Sequence, residues 1–423
     1  MRMHGVLKIL SVSLLLLFSI VVRANHILIP MDNTQTNHLK AYGVAYHALK
    51  QGYEIQWLIN YRGGSFVLPF SAEGRTECLL KGVSFEVIPP ARLNSILDEI
   101  AQPEVNADAI KLEKAPKIAV YSPKQKKPWD DAVTLVLTYA EIPYDVVYDS
   151  EVLDGKLKDY DWLHLHHEDF TGQMGKFYRN YRYTDWYKEE ETANIQTAKK
   201  YGYTKISELK KAVVRSIRDY VEAGGFMFAM CSATDTYDIA LAAMDVDICA
   251  TPFDGDPMDP DAQAKLDYSK TFAFKDFKLE QNPNVYEYSD IDVTDTRKIS
   301  ERDDYFVLFE FSAKWDPVPA MLCQNHENVI SGFMGQTTAF RKELIKSSVL
   351  IMGENKAADE TRYIHGEYGK GTWTFYGGHD PEDYQHFVGD PVTELDLHKQ
   401  SAGYRLILNN VLFPAAKKKQ RKT

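Results

Sequence analysis

Cys231 is the residue whose type and setting most directly suggest chemistry. It stands in Gly224-Gly225-Phe226-Met227-Phe228-Ala229-Met230-Cys231-Ser232-Ala233-Thr234. A short apolar strand ends at a thiol, small residues flank it at two positions either side, and a helical segment follows. That is the pattern of a nucleophile elbow, a turn so tight that those flanking positions must be small. A thiol becomes a useful nucleophile when a base takes its proton, and a histidine oriented by a carboxylate does this. His379, leaving a strand end through Gly377-Gly378, is the expected base, with Glu382 or Asp380 as the orienting acid. The backbone N–H of Ser232 is the expected oxyanion donor, with a second near Gly172. This set implies a Cys-His hydrolase or amidotransferase-like enzyme acting on an amide or ester. The plain alternative is a small buried hydrophobe, a common fate of cysteine.

A second constellation is His164-Leu165-His166-His167-Glu168-Asp169. His164 and His166 alternate and share one strand face. His166, His167, Glu168 and Asp169 are expected to line the cleft beside Cys231. A metal-dependent hydrolase using His164, His166 and Asp169 is the competing reading, since imidazole and carboxylate suit zinc. No helical His-Glu-x-x-His is present. The acidic turn Asp254–Asp261 lacks the order of a calcium loop and reads as a proline-braced surface turn. Arg62-Gly63-Gly64 suits an anion or a plain turn. Tyr178, Tyr181, Tyr183, Trp186 and Tyr187 read as aromatic packing for a helical excursion, or as a lid that stacks on a sugar.

These residues need elements to hold them. Strand patterns at 26–30, 53–59, 66–68 and 85–88 alternate with helical stretches near 39–49, 72–81 and 91–102. A polar stretch, 102–114, marks a boundary. A second series begins at Lys117–Tyr121, with a helix near 129–141 and strands at 144–148 and 161–165. Ile206, Leu209, Val213, Ile217 and Tyr220 recur at helical steps, and Gly224-Gly225 ends that helix. Residues 361–366 and 371–376 pair as a hairpin across Gly369-Lys370-Gly371. Strands alternating with helices imply a doubly wound, mostly parallel sheet.

The chain has 423 residues, a formal charge of −11 and four cysteines. Residues 1–24 read as a signal peptide: Arg2 and Lys8 precede an apolar run, and Val22-Arg23-Ala24 offers a small residue for cleavage. The protein is therefore expected to be exported, periplasmic or secreted, with no stable membrane anchor after cleavage. Removing that leader takes away three positive charges and leaves −14. So acidic a body argues against a nucleic-acid partner. The expected partner is a small-molecule, peptide or carbohydrate substrate, and no cofactor is expected. The basic end, residues 413–423, reads as a solvated tail.

The elbow around Cys231 and the later strand ending at His379 resemble the class I glutamine amidotransferase-like superfamily. The resemblance covers about residues 116–250 and 360–412. It implies a flavodoxin-like sheet with Cys231 as nucleophile and His379 as base. The chain reads Ala-Met-Cys-Ser-Ala where that superfamily has Gly-x-Cys-x-Gly, and His-Asp-Pro-Glu where it has His-Pro-Glu. At finer grain, Ile29–Gly43 and Tyr61–Phe66 resemble a secreted bacterial family labelled asparagine synthetase B-like. The chain lacks the Ser-Gly-Gly-x-Asp-Ser loop and the N-terminal cysteine that such a synthetase uses, so ATP-driven synthesis is not expected. The expected organisation is an N-terminal α/β unit at 25–112 and an amidotransferase-like domain at 116–412, with insertions near 171–204 and 251–358. A non-catalytic carbohydrate- or peptide-binding module on the same fold is the remaining alternative.

Overall fold

A computed structural model describes residues 25–124, 128–316, 318–322 and 327–416. The leader read over 1–24, the basic residues from 417 onward and Cys323 lie outside the described residues.

The first sheet comprises β1 (His26–Ile29), β2 (Ile55–Ile59), β3 (Ser65–Pro69), β4 (Glu86–Ile88) and β5 (Asp108–Leu112). Its order is β4-β1-β3-β2-β5, and every pair is antiparallel. β5 falls inside the stretch read as a boundary. Ile110 and Leu112 alternate with polar neighbours and turn one apolar face inward, which is enough for an edge strand.

The second sheet comprises β6 (Ile118–Tyr121), β7 (Asp145–Val147), β8 (Trp162–Leu165), β9 (Phe226–Met230), β10 (Tyr305–Leu308), β11 (Val329–Ser331), β12 (Phe340–Arg341), β13 (Leu350–Asn355), β14 (Glu360–Tyr368) and β15 (Gly371–Tyr376). The path runs β11-β10-β13-β14-β15-β9-β8-β6-β7, with β12 paired to β14. The pairs β15–β9, β9–β8, β8–β6 and β6–β7 are parallel. The other five are antiparallel.

The expected doubly wound, mostly parallel flavodoxin-like sheet is therefore corrected to a mixed one. The cause lies in residues 305–376, whose strands connect through turns and return antiparallel. The hairpin of β14 and β15, turning at Gly369 (φ 61°), reverses direction where a crossover helix would be needed to continue in parallel. The strands β6, β8 and β9 are buried at every position, as continuous apolar runs require.

The helix Ile206–Ala223 buries Leu209, Val213, Ile217 and Tyr220 and stops at Gly224 (φ 123°). Three further helices, His38–Lys50, Ala132–Tyr139 and Ala402–Leu412, touch one another and tie the two sheets together. Gly43 lets the first of these meet the second: a Cβ there would stand 1.9 Å from the Ala140 carbonyl oxygen. Arg405, fully buried, donates to Tyr42 Oη (2.9 Å) and to the carbonyls of Met31 and Gly63, so the last helix also binds the loops of the first sheet.

Candidate functional site

The carboxyl ends of the parallel strands gather the chemistry-bearing residues. β8 runs out into His166 and His167, β9 into Cys231, and β15 through Gly377-Gly378 into His379. The loop after β6 reaches Asp130 and Asp131 before its helix. Backbone bonds lock these ends together. Cys231 N–H donates to Gly378 O (3.1 Å), and Ala233 N–H donates to His166 O (2.9 Å).

Cys231 has the elbow conformation, with φ of 50° in the left-handed region that a side chain rarely occupies. The thiol is 3% exposed. Burial pushes it up to about 11, partly offset by the backbone N–H groups of Gln336, Ser232 and Thr337, which face the sulfur. Ser232 thus turns its N–H to the sulfur itself. Gly172 lies elsewhere, against Ser207, where a Cβ would come within 2.6 Å of the Ser207 Cα. Among the described residues no hydrogen bond joins the thiol to His379.

His379 instead belongs to an imidazole cluster. Its Nδ1 stands 3.1 Å from His166 Nε2, and its ring stacks on His386 with centroids 4.8 Å apart and planes 16° apart. Among the described residues its Nε2 has no hydrogen-bond partner, in a residue 7% exposed. Burial, then the neighbouring His166 and His386, lower its pKa to about 3, so the ring is neutral. The two acids expected to orient it do other work. Asp380 accepts from Glu382 N–H (2.9 Å) and Thr393 Oγ1 (2.8 Å), while Glu382 pairs with His398 (2.9 Å).

Asp131 is the carboxylate that orients imidazoles here. Its oxygens lie 3.2 Å from His164 Nε2 and 3.4 Å from His166 Nδ1. It also accepts from Val133 N–H (2.8 Å) and Thr134 N–H (2.9 Å), capping the helix Ala132–Tyr139. Burial opposes its charge, but the two histidines hold its carboxyl well below the usual range. His166 therefore has a carboxylate behind Nδ1 and a histidine before Nε2. This is the arrangement by which metal-binding histidines are oriented.

One ring nitrogen each of His166, His167 and His379 lie within 4.8 Å of one another. The His166–His379 separation is close to the roughly 3.3 Å edge of a tetrahedron with bonds of about 2.0–2.1 Å, the length of zinc–nitrogen bonds. The metal set read from sequence, His164, His166 and Asp169, is redrawn. Asp169 caps its own loop, accepting from Thr171 N–H (2.7 Å), Thr171 Oγ1 (2.6 Å) and Gly175 N–H (3.1 Å). His164 is buried against Asp131 and the Phe228 carbonyl. Glu168 approaches His167 at 3.7 Å.

A cavity of about 20 Å³, lined by Trp129, His167, Glu168, Asp169 and Gly172 among others, adjoins the cluster. It is sized for a single water. Trp129 meets His167 edge-on at 5.3 Å and packs on Phe177 and Trp186. Tyr181 and Tyr187 join that wall through Trp186, whereas Tyr183 is exposed. A larger cavity of about 660 Å³ lies beside Asn60, Asn106, Phe309 and Trp315, and none of the cluster residues line it.

Sequence reasoning overlooked Asp130, Asp131 and His386. The one signal available was Asp131 itself, an N-capping residue ahead of an apolar run. No protein-family model matches the sequence, and no curated protein does. Among solved structures, two cytoplasmic proteins of Salmonella typhimurium, STM3548 and STM1381, align over 71% of this chain and 100% of theirs. Their identities are 10% and 13% and their TM-scores 0.32 and 0.33. A GH42 beta-galactosidase, Gan42B, aligns over 63% of this chain and 28% of its own, at 12% identity and a TM-score of 0.27. Alignments this loose carry neither fold nor activity to this chain.

Proposed function

We propose that the protein is a metal-dependent hydrolase whose first metal position is formed by His166, His167 and His379. The observation that carries this reading is the convergence of three imidazole nitrogens within 4.8 Å, with Asp131 behind His166. Three histidines leave a fourth position open for water on a zinc-like ion, and such an ion brings the pKa of that water to about 7. His379 suits the role because it is neutral and buried. Held there, such an ion would supply an activated water for hydrolysis of an amide or ester, the substrate class expected from the sequence, with His166, His167 and His379 as its ligands and Asp131 orienting His166. Cys231 has no part in this reaction, since its thiol is held protonated and, among the described residues, no base is hydrogen-bonded to it.

The test is metal content. The full chain, stripped with chelator and reloaded with Zn²⁺, is expected to retain zinc after desalting and to hydrolyse p-nitrophenyl acetate. His166→Gln and His167→Gln should lower both the zinc retained and the rate by at least about 100-fold, consistent with loss of a ligand supported by an oriented shell. Failure of the unaltered chain to retain zinc would refute the reading.

A further inference from the structure

Beyond the three-histidine position, His379 belongs to a second group of potential ligand atoms. One atom each of Asp130, His379 and His386 lie within 4.8 Å of one another. His386 Nε2 is 2.8 Å from Asp130 Oδ1, and its Nδ1 is 2.7 Å from Asp383 Oδ2. His386 thus repeats the arrangement of His166: a carboxylate holds the rear nitrogen, and the front nitrogen points into the cluster. Carboxylate–imidazole pairs of this kind fix the ring and raise the basicity of the nitrogen that faces a metal.

His379 stands between the two pairs. Its Nδ1 is turned to His166, and among the described residues its Nε2 has no hydrogen-bond partner although the residue is 7% exposed. A buried ring nitrogen left unsatisfied costs free energy unless something fills the position. The surroundings are also charged in the sense that suits a cation. Asp130 and Asp383 both face His386, so two carboxylates border this side of the cluster.

We infer that Asp130, His386 and the second ring nitrogen of His379 form a second divalent-cation position, making the site a two-metal centre bridged by His379. This rests on the three-histidine reading above, and adds Asp130 and His386 as ligands and Asp383 as a positioning residue. The donor set, two imidazoles and one carboxylate, suits zinc or a similar first-row ion. Ligating nitrogens must be unprotonated, so loading both positions would release protons to solvent.

The experiment is zinc stoichiometry on the full chain, by elemental analysis after desalting and by calorimetric titration. The unaltered protein is expected to hold two Zn²⁺ per chain. Asp130→Asn and His386→Gln should hold one, and His379→Gln none. His386→Gln should also cut proton release on loading, a readout that a merely structural role would leave unmoved. One Zn²⁺ in the unaltered chain, lost in His166→Gln but retained in His386→Gln, would overturn the second position and leave the first standing. No zinc in the unaltered chain would overturn both. Because a substituted chain can fail to fold, calorimetric titration of the unaltered chain decides the number of positions without any substitution.

Discussion

At Cys231 a φ of 50° places a side chain where glycine is the usual occupant, at a cost on the order of 1–3 kcal/mol. The elbow is therefore real as geometry, while the thiol it presents is buried and pushed up to about 11. At pH 7.5 less than about one thiol in a thousand would be ionised, and the thiolate is the reactive form. Iodoacetamide treatment of the folded protein at that pH is expected to leave Cys231 unmodified while denatured protein reacts. Peptide mapping by mass spectrometry reads the difference, and rapid selective alkylation of Cys231 would show a thiolate that this environment does not predict. The residue type and its small neighbours were legible in sequence. The burial that quiets the thiol was not, because the sulfur's surroundings come from Gln336 and Thr337, more than a hundred positions away.

Among the elements, the helix Ala132–Tyr139 carries the clearest double duty. Asp131 caps its first turn and aligns His164 and His166 from the same carboxylate. The two roles separate by substitution. Asp131→Ala removes both and is expected to cost about 1–2 kcal/mol in urea unfolding, through the lost cap. Asp131→Ser keeps a capping oxygen but has no charge to hold the histidines. It should unfold within about 0.5 kcal/mol of the unaltered chain and still bind zinc about 10–100-fold more weakly. Equal loss of stability in both variants would contradict this division.

The strand-to-loop exits at His166 and His379 were visible as motifs. Their true neighbours were not. Sequence spacing put Glu382 and Asp380 beside His379, but the turn after Gly378 sends Glu382 to His398 and Asp380 to Thr393.

Helix contacts tie the two sheets together, and Gly43 lies at one of them, against Ala140. Gly43→Ala would drive a methyl into the Ala140 carbonyl, and unfolding is expected to become easier by at least about 2 kcal/mol. Acid stability offers a second global readout through His365. This ring is 4% exposed, and burial lowers its pKa to about 3. The unfolded chain, with a value near 6.5, takes up the proton first. Its contribution is thus complete above about pH 6.5 and is lost as pH falls toward 3. Relative to His365→Asn, the unaltered chain should lose about 2–3 kcal/mol between pH 7 and pH 4.5, measured by urea unfolding of both.

Local sequence determined the apolar runs that become β6, β8 and β9, the amphipathic helix Ile206–Ala223, the hairpin at Gly369 and the elbow conformation at Cys231. Each depends on periodicity, on glycine, or on small residues within a few positions. The tertiary structure alone decided that the large sheet is mixed, because strand direction depends on how residues 305–376 return to its edge. It alone decided that His379 meets His166 and His386 rather than Cys231. Those rings sit in separate segments, and nothing in their spacing encodes which strand end lies beside which.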